Sequence, residues 1–161
     1  MNRVQILIGI FGLVVGTLVY IFDRSLYQTY FLFKMMKFGY MPYQISNNLF
    51  GPLGGSLPAF THAFSFILIT AGLLGCNKLG YFFICLFWLF IDLIFELSQK
   101  FSSFSFGLIP GWFENIFILE NMRNYVIRGT FDFMDLVFIC LGCGIAFLVL
   151  LNTEKLGGLE K

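Results

Sequence analysis

Four stretches of this chain, residues 4–22, 59–76, 80–97 and 134–151, are too long and too apolar to be ordinary core segments of a water-soluble fold. A helix of about 20 such residues crosses the roughly 30 Å hydrocarbon of a bilayer, and each run comes near that length. Only 12% of the residues are charged, while 58% are hydrophobic and 20% aromatic; soluble domains are roughly one quarter charged. The sequence therefore predicts an all-α membrane protein, a four-transmembrane-helix bundle, with one domain over 1–152 and a polar tail at 153–161. Ten Lys and Arg balance nine Asp and Glu without a basic run that would neutralise many phosphates. Membrane lipids are the expected surroundings, and nucleic acid is excluded as a partner.

The first run follows Asn2 and Arg3, exceeds a signal-peptide core and lacks a small-x-small cleavage site, so it reads as a retained span. Its Gly9, Gly12 and Gly16 form a face that admits a neighbouring helix closely. Pro58 suits the start of the second span, and Asn77, Lys78 and Gly80 suggest a tight turn into the third. Asp92 lies inside that third run. A central Asp costs up to roughly 3 kcal/mol on the insertion scale, whereas each Leu, Ile or Phe returns about half a kcal/mol, so the eleven such residues from Phe82 to Phe95 carry the segment into the membrane.

The connections at 23–57 and 98–131 are aromatic rather than simply polar. Tyr27, Tyr30, Phe31, Tyr40 and Tyr43 stand in the first, and Trp112, Phe113, Ile116, Phe117, Leu119 and Met122 in the second. Both compositions suit the headgroup region. Four spans alternate in direction, so both connections fall on one side, where they would form a lid.

The same alternation gathers the ionisable residues. His62 stands near the start of span two, Glu96 and Gln99 near the end of span three, and Asp132 and Asp135 at the start of span four. Asp92, Glu96 and Gln99, spaced by four and three, share one helical stripe. Charges beside a membrane span usually face a partner or a polar cavity. Asp132 and Asp135 also fit a plainer role as caps at a positive helix end. Glu96 stands near a helix C-terminus, where a negative charge is disfavoured; Lys100, Arg128 and a protonated His62 are the candidate compensating groups. His62, the only histidine, fits amphipathic packing as well as proton transfer. It and the carboxylates lack a recognisable metal-ligand spacing. Cys140 and Cys143 form a C-x-x-C pair without electropositive neighbours, and Cys76 and Cys85 read as small hydrophobes. No metal, cofactor or redox chemistry is expected.

Phe95-Glu96-Leu97-Ser98-Gln99, a linker of about thirty residues, then Gly129-Thr130-Phe131-Asp132-Phe133-Met134-Asp135-Leu136 and Gly142 together make a composite pattern. It resembles the VanZ-like family of small polytopic membrane proteins, with E-x-x-Q at one helix end, a Gly-Thr-Phe-Asp element, D-L and a downstream glycine. Leu57-Pro58-Ala59-Phe60-Thr61-His62 with Phe66 is similar to the histidine-bearing start of an earlier span in that family. The resemblance covers residues 57–146. This chain departs at Ile139, where many relatives carry Asn, and at Arg128, one position from the usual arginine.

The resemblance implies a multi-pass protein of the bacterial inner (cytoplasmic) membrane with a cell-envelope role. Its polar pocket would bind or modify a lipid or lipid-linked amphiphile. Candidate catalytic residues are Glu96 as general base, His62 as proton shuttle and Asp135; candidate ligand contacts are Gln99, Arg128 as anion holder, Asp132 and Asp92. The alternative is a non-catalytic accessory subunit that packs its glycine seam and aromatic faces on a membrane-protein partner. A proton or ion carrier ranks below both, because spans one, two and four lack interior acids. Motif-side Arg24, Lys34, Lys37, Lys100, Arg123 and Arg128 outnumber Arg3, Lys78, Lys155 and Lys161, pointing to a cytoplasmic motif face. The cytoplasmic N-terminus common among relatives points the other way, and orientation stays open.

Overall fold

The computed structural model describes residues 1–23, 50–116, 119 and 122–154. It contains α1 (Arg3–Asp23), α2 (Leu57–Leu74), α3 (Lys78–Lys100), two short helices α4 (Ser102–Leu108) and α5 (Met122–Arg128), and α6 (Phe133–Thr153). The long helices α1, α2, α3 and α6 are each long and apolar enough to span a bilayer. Their outer faces carry large apolar side chains in the open: Phe11 is 70% exposed, Phe83 60% and Phe90 64%. Gln5, Asp92 and Glu96 are meanwhile hidden. Apolar groups outside and polar groups within is the arrangement a lipid solvent selects, and the chain is a multi-pass membrane protein.

Local chemistry sets the helix ends. Pro58 stands in the first turn of α2, where a missing N–H loses no intrahelical bond. That helix ends at Leu74 because Gly75 adopts φ 59°, a left-handed cap that closes onto the Ala71 carbonyl. Asn77 then starts α3 by accepting the Gly80 N–H at 3.1 Å. The turn therefore comprises Gly75, Cys76 and Asn77, while Lys78 and Gly80, expected within it, already belong to α3. This third span also continues beyond the expected residue 97 to Lys100. In the second connection, α4 and α5 flank a short 3-10 turn at Gly111–Asn115. The aromatic residues expected to line the first connection lie outside the described residues, as does Phe117 in the second.

At the centre, α2 packs against α1, α3 and α6, and α1 joins the bundle mainly through it. The glycine seam of α1 is filled from within. A Cβ at Gly9 would lie 2.9 Å from the Ser65 carbonyl, and one at Gly12 or Gly16 would collide with Ser65 or Thr61. On its other side, α2 meets Gly142 of α6, where a Cβ would stand 2.6 Å from the Phe60 carbonyl. Close approach of small residues is what holds membrane helices together when lipid removes the hydrophobic driving force. Ala63, Ile67, Leu68, Ala71, Ile139 and Ala146 fill the enclosed core.

Candidate functional site

The polar stripe of α3 touches a different segment at each turn. At its deepest position Asp92, 6% exposed, places Oδ1 3.2 Å from Nδ1 of His62 on α2. One turn on, Glu96 Oε1 accepts the Asp132 N–H at 2.9 Å. At the next position a Cβ on Gly129 would lie 2.5 Å from Gln99 Oε1, so the glycine backbone rests directly on the Gln99 side chain. The i, i+4, i+7 spacing puts all three side chains on one helical face, and antiparallel threading brings three chain segments up to it.

One partner of Glu96, a carboxylate near a negative helix end, was not foreseen in the sequence. Of the three side chains expected to compensate it, His62 pairs with Asp92, Lys100 stacks over Phe131 with Nζ 5.0 Å from the ring centre, and the Arg128 side chain lies outside the described ones. Glu96 Oε1 accepts the backbone N–H just before α6, where the positive end of that helix faces it. Antiparallel neighbours place the C-terminus of one span beside the N-terminus of the next, so a carboxylate disfavoured by its own helix is favoured by the other.

Asp132 is the N-cap of α6, accepting the Met134 N–H at 2.9 Å, and its carbonyl accepts the Asp135 N–H at 3.1 Å. The capping reading is therefore met by Asp132 directly. Asp135 lies in the first turn, half-buried. Ile139, one turn further, is buried in the apolar core; an amide at that position would need a polar partner there.

His62 is held from several directions. Its ring stands 4.5 Å from that of Phe66 and 6.2 Å, edge-on, from that of Trp88. Trp88 stacks on Phe66 at 4.8 Å and donates its Nε1–H to Thr70 Oγ1 at 3.0 Å. These partners form an aromatic floor, yet the His62 side chain remains 47% exposed. A carboxylate can only accept, so a hydrogen bond across this 3.2 Å contact would draw the ring proton to Nδ1, and in the neutral ring that tautomer leaves Nε2 as an acceptor. Among the described residues, Asp92 Oδ2 is enclosed without a hydrogen-bond partner. Trp88 and Thr70 were not among the sequence candidates. Only their distance from a polar motif within the same spans would have marked them, and an aromatic in a membrane helix carries no such signal.

The second connection lies at this face. Arg123 donates from Nη2 to the Ile109 carbonyl at 2.8 Å and lies over the Phe106 ring, pinning α5 to α4. Phe104, Leu108, Trp112 and Ile127 remain exposed, as suits a segment in the headgroup region. The four cysteines are free thiols. Cys140 and Cys143 border a wholly apolar groove with Cys85 and Leu86. Among the described residues no group of three His, Cys, Asp or Glu is placed to hold a metal ion.

No family model, curated protein or solved structure matches the chain.

Proposed function

We propose that this is a VanZ-like protein of the bacterial inner membrane, with a cell-envelope role, whose motif face binds or modifies the polar part of a lipid or lipid-linked molecule. The observation that carries the reading is the α3 stripe. Asp92, Glu96 and Gln99 meet the histidine-bearing segment, the start of α6 and Gly129, which are the separated sequence pieces of the resemblance. Ionisable groups gathered on one face of α3 beside an aromatic interfacial segment suit an amphiphile, with apolar chains in the bilayer and a polar end at the stripe.

In this reading the roles first assigned to the residues shift. Glu96 and Asp132 join α3 to α6 and position the site. His62, oriented by Asp92 and half open, is the group able to take a proton from a ligand. Asp135, Gln99 and Arg128 remain candidates to line the pocket. The accessory-subunit alternative loses its glycine seam, which α2 fills, and keeps the exposed aromatic faces.

Photolabelling in native membrane vesicles tests the reading, using a phospholipid with its photoreactive group near the glycerol backbone. Labels concentrated in peptides around residues 62 and 92–99, and weakened several-fold by Gln99→Ala in folded protein, are the expected outcome. Labelling spread evenly over the four spans and unaffected by that variant would overturn it.

A further inference from the structure

The environment of His62 narrows what this face can take. His62 is five residues into α2 from Leu57, and Asp92 is eight residues back from the end of α3 at Lys100. At about 1.5 Å per residue, the pair lies roughly 8 to 12 Å inside the helix ends. In a bilayer whose headgroups sit at those ends, as the span lengths suit, the exposed half of the imidazole would meet lipid near its glycerol level rather than bulk water. Nδ1 lies 3.2 Å from Asp92 Oδ1, and Phe66 and Trp88 back the ring. Among the described residues Nε2 has no partner.

We infer that Nε2 of His62, set by Asp92, accepts a hydrogen bond from the hydroxyl of an uncharged lipid alcohol that reaches the ring sideways through the bilayer. The inference rests on the proposed lipid-handling role of this face and names the ligand class. Three observations select it. The open position is the acceptor Nε2, with another acceptor, the enclosed Oδ2 of Asp92, nearby, so a phosphate, itself an acceptor, gains nothing there. The depth penalises a charged headgroup, whereas a hydroxyl enters at far smaller desolvation cost. The Phe66 and Trp88 rings offer an apolar floor to the carbons beside such a hydroxyl. Proton acceptance by Nε2 would leave a more nucleophilic lipid oxygen, with the imidazolium stabilised by Asp92.

Because the chain has one histidine, ¹⁵N-histidine labelling reports this ring alone. The probe is the full-length protein in phosphatidylcholine bilayers, which offer no headgroup donor, with diacylglycerol or phosphatidylethanolamine added at equal fraction. The unprotonated Nε2 resonance is expected to move upfield with diacylglycerol and to stay in place with phosphatidylethanolamine. In folded Asp92→Leu, which has no acceptor for Nδ1–H, the diacylglycerol response should disappear. An unchanged resonance, an equal response to the ammonium lipid, a proton on Nε2 in the neutral ring, or a full response in Asp92→Leu would each overturn the inference. Photolabelling focused on the stripe together with a silent Nε2 would reject the hydroxyl site while leaving the broader reading standing; uniform labelling would reject that reading itself.

Discussion

At the end of the bundle where α1 begins, polar groups bond mainly one another. Asn2 donates its backbone N–H to the Gly72 carbonyl at 2.7 Å and its side-chain N–H to the Thr153 carbonyl at 3.0 Å. Gln5, fully enclosed, donates to Tyr81 at 3.2 Å and to Thr153 Oγ1 at 3.1 Å. These side chains are neutral, and all four lie under 9% exposed. The motif end also ties α2, α3 and α6 together, but with ionisable groups and with half of His62 left open. A polar cluster that serves only to fasten helices can close completely. One that is charged, directed and partly open has capacity left for a ligand.

Disturbing the wall shared by both ends should have the largest effect. Gly142→Leu forces a side chain onto the Phe60 carbonyl, and overpacking of this kind costs about 3 kcal/mol at the top of its usual range. Unfolding by SDS titration in mixed micelles should show that loss, and unchanged stability would break the picture of α2 as the common wall. Glu96→Ala removes the acceptor for the Asp132 N–H and should cost about 2 kcal/mol. Glu96→Gln, which retains an acceptor oxygen, should recover most of it by the same measurement. A Gln variant as unstable as Ala would assign the effect to charge at the α6 terminus rather than to the hydrogen bond.

At the closed end, Gln5→Leu should cost about 1 kcal/mol, within the range of buried hydrogen bonds in membrane bundles. It should leave the His62 nitrogen resonances unmoved; a shift there would show that the two ends are coupled. The smallest effect is expected from Lys78→Ala. Its 3.8 Å pair with Glu154 is exposed, and removal should change the same unfolding midpoint by less than about 0.5 kcal/mol of stability.

The two ends differ as much in how they can be read from residues. Gln5 is one polar residue within an apolar run, and nothing beside it in sequence announces Tyr81 or Thr153 as partners. The motif end is announced by acids at helical spacing and by a histidine near a span start, because charge in a membrane segment is expensive enough to be conspicuous. Alternation of spans then places them at one face without any knowledge of side-chain geometry.

Sequence alone determined the four spans, their antiparallel order and the gathering of His62, Asp92, Glu96, Gln99, Asp132 and Asp135 at one membrane side. Hydrophobic length and helical period, both local properties, are sufficient for that. Tertiary structure decided the partners: Asp92 with His62, Glu96 with the Asp132 N–H, Gln99 beneath Gly129, and the α1 glycines against α2. Those pairings depend on the rotation of each helix about its axis, which is set by how small and large residues interlock across the whole bundle. Period along one helix carries no record of what faces it from another.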